Sequence, residues 1–195
     1  MKNKNIILAQ LQREMLKSAQ ALSETAEKSA GEIIKAADII AGTFKKSGKL
    51  LICGNGGSAA DSQHIAAEMV VRFLKERKAL PAIALTTDAS IITSEANDHS
   101  FDTVFSRQVE ALGKKGDVLL AITTSGRSPN VIEAAKASRK KGMTVIGLTG
   151  PASGSLGKYC RVCIKAAGDK TFRIQESMLM AEHAICDLVE KDFVK

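Results

Sequence analysis

Aromatic residues are scarce in this 195-residue chain, which has no tryptophan, one tyrosine and six phenylalanines. A nucleic-acid surface usually interleaves such rings with basic residues. Here the basic residues lie apart, at Lys45-Lys46, Lys75 to Lys78, Lys114-Lys115 and Arg139 to Lys141. The formal net charge of +7 therefore points to an anionic small molecule as partner and to no nucleic acid. Long apolar runs are missing too: no stretch of about 18 residues could span a bilayer. The N-terminal "MKNKNIILAQLQREMLK" is broken by charge and lacks a small-residue cleavage site, so no membrane partner and a cytoplasmic location are expected. Of four cysteines, Cys160 and Cys163 form one C-x-x-C pair. With no second pair to complete a zinc site, and with positions three apart on a strand facing opposite sides, that pair reads as structural.

What remains is ordinary for one α/β domain covering residues 1–195, with 45% hydrophobic residues and no visible repeat or linker. Residues 1–47 read as two helices. Leu8, Leu11, Met15 and Leu22 form one stripe, Ile33, Ile34, Ala37, Ile40 and Phe44 the next, and Ser29 and Glu32 have capping-box spacing between them. From residue 48 the pattern changes to short apolar runs, "LLIC", "PAIAL", "DVLLAI", "TVIGL" and "CRVCI", most followed by helical segments. That alternation predicts a five-stranded doubly wound parallel sheet, closed by a long amphipathic helix over Thr171 to Phe193.

Ligands of such sheets bind beyond the carboxyl ends of the strands, where three polar loops are expected: "CGNGGSAAD", Thr86 to Asp98, and "TTSGRSPN". The last offers hydroxyls from Thr123, Thr124, Ser125 and Ser128, a flexible Gly126, and Pro129 at the first position of a helix. Hydroxyls around a helix N-terminus suit a phosphate. "GNGGSA" also matches the dinucleotide pattern G-x-G-x-x-A. The acid that this fingerprint needs at the end of the second strand is missing, and no Walker pattern exists. A helix from about Ser58 carries Asp61, His64 and Glu68 on one face, and the final helix carries Gln175, Leu179 and His183 on one stripe. These residue types suit a proton shuttle and equally a divalent metal. His99 reads as a loop residue.

With "CGNGGSAAD", "HIAAE", "ALTTD", "AND", "FSRQVEALG", "GDVLLAITTSG", "SPNVI", "GMTVIGLTG" and "RIQE" followed by "AEH" in place, nearly the whole chain resembles the phosphoheptose isomerase family of the sugar isomerase (SIS) fold. The resemblance implies an aldose–ketose isomerase. It would convert sedoheptulose 7-phosphate to D-glycero-D-manno-heptose 7-phosphate through an enediol, the first step toward nucleotide-activated heptose for bacterial surface glycans. It further implies sugar contacts from Asn55, Gly56, Gly57, Asn97 and Asp98, phosphate contacts from Thr123, Thr124, Ser125 and Ser128, and catalysis by Glu68 and His183. Zinc held by His64, Glu68, Gln175 and His183, a further substrate contact from Gln175, and a homotetramer complete the expectation. The family's hydroxyl loop often reads Ser-Thr-Ser-Gly-Asn-Ser, whereas this chain has Thr123 and Arg127 at the first and fifth places. A tetrameric regulator of bacterial replication initiation shares the fold and much of the sequence. The presence of both Glu68 and His183 favours the enzyme.

Overall fold

The computed structural model describes residues 4–194. Five strands, β1 (Leu50–Cys53), β2 (Ala82–Ala84), β3 (Val118–Thr123), β4 (Thr144–Thr149) and β5 (Val162–Lys165), form one sheet in the order β2-β1-β3-β4-β5. All four pairings are parallel. β1 and β3 are buried along their whole length, which is why they read as unbroken apolar runs instead of alternating ones.

One core layer packs α1 (Lys4–Lys45), α2 (Gly57–Val70) and α6 (Thr171–Lys191) on one sheet face, through Ile40, Ile52, Ile65, Leu120, Met178 and Ile185. The other holds α4 (Ser106–Leu112) and α5 (Pro129–Lys140), through Val109 and Val131, against Leu51, Leu119 and Val145. The chain runs outward from β1 to β2 and then returns to place β3 on the other side of β1. The crevice above β1 and β3 is therefore the place where a doubly wound sheet admits a ligand.

Two expected features differ. The N-terminal helical pair is a single 42-residue helix, about 60 Å long at 1.5 Å per residue. Ser29 does not cap a second helix; its hydroxyl donates to the carbonyl of Lys165 at the end of β5. Helical-spaced Lys28–Glu24 and Lys35–Glu32 ion pairs flank the expected break, where no proline interrupts the backbone. The segment Thr86 to Asp98 is mostly helix α3 (Ala89–Asp98), because Asp88 caps it by accepting from the Ile91 N–H. His99 closes this helix and faces Glu95 at 3.2 Å.

Candidate active site

The loops after β1 and β3 meet across the crevice. Asn55 and Asn130 exchange two amide hydrogen bonds, each of 2.9 Å, tying the glycine loop to the start of α5. In the β3 loop, the Thr123 hydroxyl lies 2.9 Å from that of Ser128 and 3.4 Å from that of Ser125. The Ser125 hydroxyl also accepts from the Arg127 N–H. Ser128 stands at the N-cap of α5, yet its hydroxyl faces Thr123 and makes no cap bond. The Val131 N–H goes to the Asn130 side chain. The hydroxyls are thus gathered above a helix start whose dipole favours an anion. Gly126 has φ +65°, and a Cβ there would come within 2.2 Å of the Ser153 carbonyl, so this turn requires glycine. Thr124 contributes backbone as well, its carbonyl accepting from Gly150. Arg127 is exposed.

Residues far apart in sequence converge where α2 meets α6. His64 Nε2 lies 2.8 Å from His183 Nε2, with the rings edge to face. Glu68 Oε1 is 3.6 Å from the other ring nitrogen of His64, Nδ1. Phe73 stacks on His183 at 5.6 Å between ring centroids. Gln175 lies earlier on α6, with its amide packed over Gly57, where a Cβ would sit 2.1 Å from Nε2. Asn97 and Asp98 pair with each other at the exposed end of α3.

The donor set of two imidazoles, one carboxylate and one amide is of the kinds zinc accepts. Three of the four are gathered here. Glu68 approaches the Nδ1 side of His64, turned away from His183. Among the described residues no group of three His, Cys, Asp or Glu side chains is arranged around a common metal position.

Several residues of this region were not among the expected site residues. Asp61 shares the His64 face of α2; burial raises its pKa, opposed by the charges of His64 and His183. Glu182, next to His183, is fully buried with neither carboxylate oxygen hydrogen-bonded, and burial followed by repulsion from Asp61 pushes its pKa up to about 8. Arg77 secures the end of α2, donating to the carbonyls of Glu68 at 2.7 Å and Met69 at 2.8 Å. Arg77 is paired in turn with buried Glu190, which accepts the N–H groups of Phe73, Leu74 and Lys75. Asp61 was visible as the first member of the helical face. Phe73, Arg77 and Glu190 carry no local signal, because their roles arise only when α6 packs against the segment after α2.

The SIS domain family matches residues 15–150. The chain is 48% identical to the phosphoheptose isomerase of Campylobacter jejuni subsp. jejuni serotype O:6 over 174 residues, covering 89% of this chain and 94% of that relative. It is 50% identical to the phosphoheptose isomerase of a Roseiflexus species over 167 residues, 86% of this chain and 85% of the other. Among solved structures, the phosphoheptose isomerase of Neisseria gonorrhoeae superposes with a TM-score of 0.89 at 41% identity, covering 95% of this chain and 99% of that one. That of Francisella tularensis gives 0.90 at 36% identity, over 94% and 98%.

Proposed function

Since the chain belongs to the phosphoheptose isomerase family of SIS-domain proteins, and so is a sedoheptulose 7-phosphate isomerase, we propose that Glu68 and His183 carry out its proton transfers and that the β3 hydroxyl loop holds the phosphate. The observation that carries the reading is the meeting of His64, Glu68 and His183 across α2 and α6. Ketose-to-aldose conversion removes a proton from the carbon beside the ketone, passes through an enediol and returns a proton to the neighbouring carbon, while the oxygens exchange theirs. A carboxylate suits the carbon steps and an imidazole the oxygen steps, each worth roughly a hundred- to ten-thousandfold in rate. Glu68 is half-buried and His183 is fixed by Phe73 and His64, so both enter the reaction already oriented.

Thr123, Thr124, Ser125 and Ser128 bind the phosphate in this reading, with Asn55, Gly56 and Gly57 approaching the sugar. Asn97 and Asp98 take sugar hydroxyls, and Gln175 orients the substrate over Gly57. Zinc is the metal the donor set fits. His64, Glu68, Gln175 and His183 would hold it, and when bound it would polarise the oxygens of the reacting carbons. A homotetramer is supported by the exposed apolar side chains of Ile7, Leu8, Leu11, Met15 and Leu16 on α1, surface that an isolated chain would leave in water. Its four cysteines are free, and no described helix is long and apolar enough to cross a membrane. The free thiols fit a cytoplasmic enzyme.

Incubation with sedoheptulose 7-phosphate, with and without added zinc, followed by NMR, tests the activity. The expected result is an aldoheptose 7-phosphate. A folded protein giving none under either condition would return the chain to the class of non-catalytic phosphosugar-binding regulators.

A further inference from the structure

The C-x-x-C pair, which as strand residues would face opposite sides, is brought together. Cys160 lies outside the strand: it closes a single 3-10 turn, Leu156–Tyr159, and the chain bends at Arg161 before β5 begins at Val162. Strand alternation therefore does not run from one cysteine to the other. Both sulfurs lie over Gly147 of β4. A Cβ at that position would be 2.6 Å from Cys160 Sγ and 3.4 Å from Cys163 Sγ, so the absent side chain makes the space they share. Both residues retain partial solvent exposure, whereas Cys53 and Cys186 are buried.

The two thiols are not equivalent. Cys160 Sγ donates to the Leu156 carbonyl at 3.3 Å. Cys163 Sγ has the Thr149 hydroxyl at 3.7 Å. The neighbouring Cys160 thiol, the Thr149 hydroxyl and the Lys165 charge favour the Cys163 thiolate, against the opposing effect of burial. The thiolate is the nucleophilic form of cysteine. Cys163 is therefore the attacking sulfur and Cys160 the resolving one.

We propose that Cys160 and Cys163 form a peroxide-sensitive dithiol that closes reversibly to an intrachain disulfide. In the first step Cys163 thiolate attacks hydrogen peroxide, giving a sulfenic acid and hydroxide. In the second, the Cys160 sulfur attacks the sulfenic sulfur, forming the S–S bond and releasing water. Overall, two thiols and one peroxide become one disulfide and two waters, and an external thiol restores the pair. The bond would tie β5, at the edge of the sheet, to the turn before it. That turn touches the hydroxyl loop, since the Leu156 N–H donates to the Gly126 carbonyl at 3.0 Å. Oxidation has a path to the phosphate site through this contact.

Peptide mapping of the full-length protein tests the proposal. After brief peroxide treatment, unfolding and alkylation, the peptide holding both cysteines should be lighter by two hydrogens and unalkylated until reduced, while Cys53 and Cys186 alkylate fully. In Cys160→Ser the Cys163 sulfenic acid should persist and be captured by dimedone. In Cys163→Ser peroxide should leave Cys160 a thiol. Unchanged alkylation of both cysteines in wild type, or a captured sulfenic acid on wild-type Cys163 without a disulfide, would overturn the proposal. Equal peroxide reactivity of the two single variants would overturn the assignment of Cys163 as the attacking sulfur.

Discussion

At Ser128 a hydroxyl that could cap α5 is turned instead toward Thr123, at 2.9 Å. A residue used only for capping would bond the helix N–H groups, so its position here favours a ligand. Ser125→Ala combined with Ser128→Ala should raise the substrate Kd about a hundredfold, because two hydrogen bonds to a charged group are lost at about 1.5 kcal/mol or more each. Circular dichroism should be unchanged. Calorimetry showing wild-type affinity would place the phosphate elsewhere.

Asp117 illustrates how one residue can hold several parts of the fold. Its carboxylate accepts from the Lys49 N–H, the Lys49 ammonium at 2.5 Å and the Lys114 N–H, joining the start of β1 to the start of β3. Burial raises its pKa, but these bonds to Lys49 and Lys114 outweigh burial and leave it below the usual carboxylate value. The sign follows from linkage: the stabilisation is complete above the unfolded-state pKa and disappears as pH falls through the lower folded-state value. Asp117→Asn should therefore cost about 2 kcal/mol at pH 7, with the difference from wild type narrowing in acid. Urea titrations at pH 7 and near pH 3 measure this; a difference that widens in acid would contradict it.

Among the elements, α2 matters most, because its first turn faces Gln175 and its later turns carry His64 and Glu68. The helix ends at Val70, and Arg77 folds back to take the Glu68 carbonyl and to share the Met69 carbonyl with the Leu80 N–H. Arg77→Ala removes those bonds and leaves Glu190 buried without its cation, so a loss of about 3 kcal/mol is expected in urea unfolding. A change below about 0.5 kcal/mol, the range of ordinary surface substitutions, would show that this clamp is dispensable.

The elements also show what could be read from the sequence. β1, β3 and β4 are recognisable because buried parallel strands are apolar throughout, and α2 and α6 because their polar residues recur at helical spacing. No break divides α1: Ser29 and Glu32 mimic a cap in sequence, but the Ser29 hydroxyl donates to the Lys165 carbonyl across the fold. The α3 segment reads as loop because it buries none of its residues. Its helical signal rests on the Asp88 cap alone. The convergence of Cys160 and Cys163 depends on a bend and on a glycine of the neighbouring strand, and neither belongs to a pattern within "CRVC".

For the whole molecule, the exposed stripe of Leu8, Leu11 and Met15 on α1 has no partner among the described residues of a single chain, and His64 beside His183 keeps 43% of its side-chain surface exposed. Association of chains through α1 would remove the apolar stripe from water. Light scattering should find a tetramer in wild type and smaller species in Leu11→Glu combined with Met15→Lys, with helical content retained. A wild-type monomer at micromolar concentration would contradict the assembly.

The proposed role of Glu68 is to move the carbon-bound proton. The most direct measurement follows deuterium entering the sugar carbons during turnover of sedoheptulose 7-phosphate in heavy water, in wild type and in Glu68→Gln. Wild type should place deuterium beside the new aldehyde of the product. The variant, folded and still binding sugar phosphate, should do so at least a hundredfold more slowly, the lower end of what a general base supplies. Retention of more than about a tenth of the wild-type exchange rate in Glu68→Gln would assign the proton transfer to another residue.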